Sequence, residues 1–553
     1  MARMLLPEIN IKTVLGIDIS TQSLSAVLLR CSSGEILWDH SLSYRNDSRL
    51  SGFGFEHDTM IIPPREPGEA EQPPRLFIAA LDALFCDLKN AGVDIRTIAA
   101  INTSGQQHGH VYLNDRARAS FASLRDPGSA RKDLAAAISG SFSYGGAPIW
   151  KTSNTAVEAA RIRAAAGGKT AIIERIGSDI PLRFSAAVHR RLAIRYPETY
   201  AATRHLMQIS SLIPAILTGD CTIPIDFGNA CGTGLMNYAA RMWDDVVLNA
   251  VADDLHDGTA GLAAKLPSIA HPLSICGTVA SYFQIKYGLS ADCMIIVGSG
   301  DNPQTKVLAS GDLLSLGTSF VYMISSPDGR VDATGAANAM YDGLGRPFNF
   351  CCRTNGALTW DQLRPHHGLG AADYAACDSA LTSVAPGSLM RFWHPDAESF
   401  PVINSHPEPV RLDNAAIDFD SDFSAIVDSS LGLLYQYGMK ISGASDHSRQ
   451  PAMSVCGGPS VSPTIMDRIA AIWNRSVIQT GQAGAALGAA AAAAVALFPE
   501  HEREAVAERL RAAISSGKAI FMPDPEMVRA YHAPGGYLER MESCFERIRS
   551  AST

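Results

Sequence analysis

A lone acidic residue follows an apolar run and two glycines in VGSGDNPQTK, residues 297–306. Asp301 stands where a strand is expected to end, the edge at which open α/β sheets place ligands. Pro303 suits an early helical position, so a helix is expected to begin here with Asp301 or Asn302 as its cap. A helix N-terminus favours the ionised carboxylate. An ionised, positioned carboxylate can take the proton of a substrate hydroxyl. Cap and base are compatible roles.

Other residues fit the same chemistry. GQQHG, residues 105–109, sets His108 between glycines in a loop after an apolar run, a better binding candidate than most of the chain's 15 histidines. Arg183 in GSDIPLRFSA reads as a surface residue. Asp18 follows VLGI, at a strand end where a carboxylate can hold Mg²⁺ beside phosphates. Its plainer reading is a solvated turn acid. Ser20, Thr21 and Gln22 form the turn after it. Gly317, Thr318 and Ser319 in SLGTS form a second such turn. Hydroxyls and amides in two tight turns can grip a phosphate tail, although Ser, Thr and Gly also favour ordinary turns. Gly457 and Gly458 in SVCGGPS, ahead of Ser462 and an amphipathic helix, let a flat ring or phosphate approach the backbone, or simply turn the chain. GGKT, residues 167–170, is not a phosphate loop. The first glycine of that pattern should stand at Arg163, and a helix rather than a strand precedes it.

The elements that must carry these residues are legible in outline. TVLGIDISTQSLSAVLL, 13–29, reads as a hairpin. Residues 45–75 read as a long loop, and PPRLFIAALDALFCDLKNAG as a helix stopped at Gly92. IRTIAAINTSGQQHG and CMIIVGSG read as buried strands entering glycine-bounded loops. Residues 154–220 alternate helical patterns with short loops. DLLSLGTSFVYMIS, 312–325, repeats the strand–turn–strand build of 13–29, which points to two domains of related construction with a boundary near residue 303.

The bulk numbers agree. With 553 residues the chain exceeds one ordinary core, and 46 % hydrophobic against 18 % charged content is that of a soluble globular protein. A net charge of −9 with no basic stripe argues against nucleic acid as partner. Eleven scattered cysteines without a C-x-x-C pair fit reduced thiols in the cytoplasm. MARMLLPEIN carries no recognisable signal peptide. AGAALGAAAAAAVALF, 483–498, is too short and too rich in alanine for a membrane span and reads as a tightly packed buried helix.

GIDISTQSLSA, SGQQHG, GSGDNP, SLGTS and CGGPS, in this order, resemble the motifs of the FGGY carbohydrate kinases, and the spacing extends over nearly the whole chain. The resemblance implies a two-domain actin-like (ribonuclease H-like) α/β fold, each domain with a mixed central sheet flanked by helices, with a cleft between them. It implies a sugar-binding domain over 12–303 and a nucleotide-binding domain over 304–549. It further implies ATP and Mg²⁺, and phosphorylation of a ketopentose, D-xylulose first among the candidates. Asp301 matches the family's catalytic base. His108, Arg183, Asp301 and Asn302 match its sugar-binding positions, and Asp18 its metal-side acid. Gly317, Thr318 and Ser319 match the second phosphate turn, and Gly457 and Gly458 the adenosine site. A homodimer is common among similar proteins.

Asp226 in PIDFG is the second choice for the base. Three departures stand out. Trp150-Lys151-Thr152 replaces W-x-D, Ser462 stands where relatives often have Asn, and no acid precedes ALGAA, where Gln482 lies nearby. Kinases of ribulose, L-xylulose or glycerol are the nearest alternatives. A non-catalytic, nucleotide-operated binding protein is the alternative of another class.

Overall fold

The computed structural model describes residues 12–443, 450–480 and 484–551. The MARMLLPEIN segment and Gln482 lie outside the described residues. β1 (Thr13–Ile19) is buried on both faces apart from partly open Asp18. Two-sided burial calls for a continuous apolar run, which VLGI supplies. β1 turns through Ser20–Gln22 into antiparallel β2 (Ser23–Arg30), and β2 pairs with antiparallel β3 (Ile36–Ser43). The fully buried β4 (Ile98–Gly105) lies parallel to β1. β5 (Ile275–Thr278), β6 (Met294–Ile296) and β7 (Ser299–Gly300) complete a seven-stranded sheet of order β5-β6-β4-β1-β2-β3, with β7 also on β4. The strand expected over 293–300 is split. Gly298 takes φ +81°, and a Cβ there would lie 2.4 Å from the Thr103 hydroxyl.

The second sheet repeats this plan. Its strands are β8 (Leu313–Leu316), β9 (Phe320–Ser325), β10 (Asn338–Tyr341), β11 (Pro347–Arg353), β12 (Met453–Gly457), β13 (Val477–Gln479) and β14 (Ile520–Phe521), in the order β10-β11-β9-β8-β12-β13-β14. β8 is antiparallel to β9 and parallel to β12, β12 is parallel to β13, and β13 is antiparallel to β14. From β3 to β5 and from β11 to β14 the order and sense of the strands coincide. The repeat read between residues 13–29 and 312–325 is therefore a repeat of whole sheets.

Two compact units result. Unit 1 gathers the chain up to Leu308 with Met340–Arg346 and Gly484–Ile514; unit 2 gathers Ala309–Ala339, Pro347–Ala483 and the chain from Ser515. This differs from a single cut after residue 303, for two physical reasons. Helix Asp301–Lys306 runs across that point. The alanine helix, Ala485–Ala496, is buried along its whole length in unit 1.

The alanine helix approaches β1 so closely that a Cβ on Gly16 would sit 1.9 Å from the Ala486 carbonyl oxygen and 2.4 Å from the Ala490 nitrogen. On its other side a Cβ on Gly488 would sit 1.9 Å from the Gln304 carbonyl oxygen. Asn102 Nδ2 donates to the Ala489 carbonyl at 3.2 Å, so the helix backbone itself is bonded to β4. Among the described residues no helix is long and apolar enough to cross a membrane. Because backbone, not a flexible side chain, opposes any atom added at Gly16, Gly16→Ala should destabilise the protein by about 2–3 kcal/mol. The midpoint of chemical denaturation measures this.

Candidate active site

Asp301 is the first residue of helix Asp301–Lys306, and Gly300 holds the cap position without a side-chain bond. The expected capping role is thus corrected: β7 runs directly into the helix, which leaves no extended residue other than Gly300 before it. Asp301 Oδ1 accepts from the Asn302 amide N–H at 2.8 Å and from Asn302 Nδ2 at 3.0 Å. Enclosure by protein pushes the Asp301 carboxyl up to about 7, nearby Asp18 raises it further, and the amide groups of Asn302 and Gln107 oppose this.

His108 is buried in a left-handed backbone conformation, φ 68°. A non-glycine residue there stores strain, a feature that clusters at functional sites. Its Nδ1 lies 2.7 Å from the Gly232 carbonyl oxygen. A carbonyl only accepts, so Nδ1 carries the proton. Burial, aided by Arg183, pushes the imidazole down to about 3, so the ring is neutral and Nε2 is an acceptor for a hydroxyl. Phe184 stacks on the ring at 4.7 Å. Asn302 Nδ2 also donates to Gln107 Oε1 at 3.1 Å, tying the Asp301 helix to the loop that carries His108. The structure thus brings His108, Arg183, Asp301, Asn302 and Asp18 together in unit 1.

Asp18 lies within β1, opposite Ser25 and Ser104, and is not the turn acid of its plainer reading. Oδ1 accepts from Ser104 Oγ at 2.6 Å, and burial pushes the carboxyl up to about 6. A carboxylate so raised, next to a second one, is a pair that a cation would relieve. Among the described residues no three metal-ligating side chains cluster. That donor set fits an ion that keeps water and takes phosphate oxygens alongside one carboxylate, as Mg²⁺ does. In the adjoining turn, Ser20 Oγ donates to the Ser23 carbonyl at 2.9 Å and Thr21 Oγ1 to Gln106 Oε1 at 3.0 Å. Gln22 is exposed.

Unit 2 holds a cavity of about 460 Å³ with Leu316, Gly317, Trp360, Phe423, Gly458 and Ile465 in its wall. Thr318 and Ser462 line it too. Ser319 completes the turn into β9. Apolar walls with a few polar groups suit a flat heteroaromatic ring. The two glycines differ. Gly457 takes φ +99°, and a Cβ would lie 2.3 Å from the Leu316 carbonyl oxygen. A Cβ on Gly458 would meet nothing. Packing therefore explains Gly457 and leaves Gly458 to be explained by a ligand.

Two departures become intelligible. Thr152 is buried and its hydroxyl donates to the Ala70 carbonyl at 3.0 Å, a structural bond. Ser462 caps helix Pro463–Trp473 and donates to Asp378 Oδ1 at 2.5 Å. Asp226, the rival base, is fully buried and caps helix Phe227–Cys231, which removes it from reach of a substrate. Sequence reading missed Ser104, Gln107, Phe184 and Gly232. Adjacency to GQQHG and Arg183 was the available signal for the first three.

The raised Asp301 carboxyl has a stability consequence. Folded Asp301 holds its proton to about 7 and the unfolded residue only to the model value of 3.8, so stability falls as pH rises through that window. Asp301→Asn should therefore raise ligand-free stability at pH 8 by about 1 kcal/mol and leave it nearly unchanged at pH 4. Thermal denaturation at the two pH values checks the sign.

Comparison with known proteins agrees with this geometry. Residues 145–307 match the FGGY family of carbohydrate kinases, N-terminal domain. The chain is 30 % identical over 356 residues to "Probable D-xylulose kinase A" of Aspergillus flavus, covering 63 % of this chain and 60 % of that protein. It is 30 % identical over 323 residues to "D-xylulose kinase A" of Aspergillus niger, covering 58 % of this chain and 55 % of that protein. The matches thus span less than two thirds of these curated relatives. The crystal structure of xylulose kinase from Rhodospirillum rubrum superposes with a TM-score of 0.79 at 17 % identity, covering 98 % of this chain and 99 % of that one. That likeness shows the fold, the actin-like α/β architecture expected from the motifs. By its matched N-terminal domain, its relatives and its fold, the chain belongs to the FGGY family of carbohydrate kinases.

Proposed function

We propose that the protein transfers the γ-phosphoryl group of ATP to D-xylulose, giving D-xylulose 5-phosphate. One observation carries the reading: in unit 1 a carboxylate poised near neutrality, Asp301, is tied through Asn302 and Gln107 to the loop of a neutral imidazole acceptor, His108. The names of the curated relatives support the choice of sugar. Unit 1 is the sugar-binding unit, with His108 Nε2, Arg183 and Asn302 meeting hydroxyls. Unit 2 takes the adenine ring against Trp360, Phe423 and Gly458, and Gly317, Thr318 and Ser319 take phosphate oxygens, as Ser20, Thr21 and Gln22 do from unit 1. Asp18 would hold Mg²⁺, which supplies positive charge to the phosphate oxygens when bound. Asp301 accepts the proton of the C5 hydroxyl, and that oxygen attacks the γ-phosphorus in line. Positioning and electrostatics carry the rate. Eleven free thiols support a cytoplasmic setting.

A coupled assay of ADP release tests the reading, with ATP·Mg²⁺ and D-xylulose, L-xylulose, D-ribulose, L-ribulose or glycerol. D-xylulose should give the largest kcat/KM. Asp301→Asn should lower kcat about 1000-fold with the Kd for ATP within about two-fold. Turnover of another sugar moves the substrate and keeps the base. No sugar-dependent ADP release overturns the kinase reading in favour of nucleotide-driven partner binding.

The pH profile follows from the same carboxylates. A protonated Asp301 cannot accept a proton, so kcat/KM for sugar should rise with pH and level off above about 7. Asp18 titrates with Asp301, so the acid limb belongs to the pair. An Asp18→Asn variant should shift that limb to lower pH, because the neighbouring negative charge that raises Asp301 is gone.

A further inference from the structure

The polar core of unit 1 is organised around one carboxylate. Asp226 is fully buried and accepts three hydrogen bonds. Two come from the amides of Gly228 and Asn229, at 2.9 and 3.1 Å, and start helix Phe227–Cys231. The third comes from Ser299 Oγ at 2.7 Å. These bonds lead to different parts of the site. Ser299 lies in β7, where Gly300 separates it from Asp301. The five-residue helix ends at Gly232, whose carbonyl holds His108 Nδ1–H.

The joint has no slack. A Cβ on Gly228 would lie 2.5 Å from Asp226 Oδ2 and 2.8 Å from Ser299 Oγ. A Cβ on Gly300 would lie 2.9 Å from Asn229 Oδ1, and Asn229 Nδ2 is bonded to Ser210 Oγ at 2.6 Å. A movement of Asp226 is therefore passed to both arms.

We propose that Asp226 is a positioning residue that sets His108 and Asp301 in register with each other; its kinetic consequence rests on the sugar-kinase reading above. Both oxygens are occupied and neither reaches a substrate. The carboxylate acts by fixing, through Gly232, which imidazole nitrogen carries the proton and, through Ser299, where the base stands.

Asp226→Asn tests this, because the amide keeps the shape and replaces one acceptor by a donor that faces an N–H or O–H. We expect kcat to fall about 100-fold, KM for the sugar to rise about ten-fold and the Kd for ADP to stay within about two-fold. Spectra of ¹⁵N-histidine-labelled protein, with His108 assigned through His108→Gln, should show a neutral Nδ1–H ring in the wild type and a changed tautomer balance in Asp226→Asn. Ser299→Ala cuts one arm only. It should lower kcat about ten-fold and leave the sugar KM and the His108 signal unchanged.

Unchanged kcat and KM in folded Asp226→Asn, or an unchanged His108 signal, overturns the proposal. If Asp226→Asn does not fold, Ser299→Ala decides, and an unaltered kcat there overturns it. If the wild type turns over no sugar, the kinase reading fails by itself, and the His108 spectrum still judges whether Asp226 positions the ring.

Discussion

Unit 1 depends on how closely the alanine helix approaches β1 and the Asp301 helix. Backbone meets backbone on both sides, at Gly16 and at Gly488, with room for no side-chain atom at either. Alanine loses no rotamer entropy on burial, so a helix of alanines gives up little to sit there. Close approach also brings more atom pairs into dispersion range than a leucine interface at the usual interhelical spacing would. The Asn102 bond to the Ala489 carbonyl fixes the helix along the sheet. Since Gly488 abuts Gln304, three residues after Asp301, the position of the proposed base is set by a segment distant in sequence.

On that support the site is built from groups held away from their ordinary protonation behaviour. Asp18 and Asp301 are both raised by enclosure, and each disfavours ionisation of the other. His108 is lowered by enclosure and by Arg183. The same enclosure thus gives a reluctant acid pair and a ring that only accepts. Behind the ring, His110 Nδ1 donates to the His108 carbonyl at 2.9 Å, and His110 Nε2 lies 2.9 Å from the Tyr112 hydroxyl. These bonds hold a backbone that a non-glycine residue would otherwise leave.

Some of this was legible in sequence, because local signals agreed with the fold. The apolar runs around Ser20–Gln22 and Gly317–Ser319 are hairpins because both their strands and their turns say so. The alanine run is buried, as its composition implies. Its place on β1 was not legible, since alanine carries no pattern that names a partner. Gly298 hid a break inside an apolar stretch, because the positive φ follows from the Thr103 side chain on a neighbouring strand. Asp226 was ambiguous for a sharper reason. An acid ahead of Phe-Gly-Asn reads equally as cap or base, and only its burial and its bond to Ser299 separate the two.

The two sheets show why one scaffold can serve two kinds of ligand. In each, the first strand and its parallel neighbour end side by side: Ile19 opposite Gly105 in unit 1, and Leu316 opposite Gly457 in unit 2. The glycine is imposed both times by crowding. A Cβ on Gly105 would meet the Ser210 nitrogen at 2.9 Å, and one on Gly457 the Leu316 oxygen at 2.3 Å. The chemistry begins at the next residue. In unit 1 the chain continues as Gln106-Gln107-His108, polar side chains that can match hydroxyls. In unit 2 it continues as Gly458-Pro459, which presents backbone and open space beside an apolar cavity suited to a flat ring. The fold fixes where the strands end, and the residue after each glycine decides what can bind there.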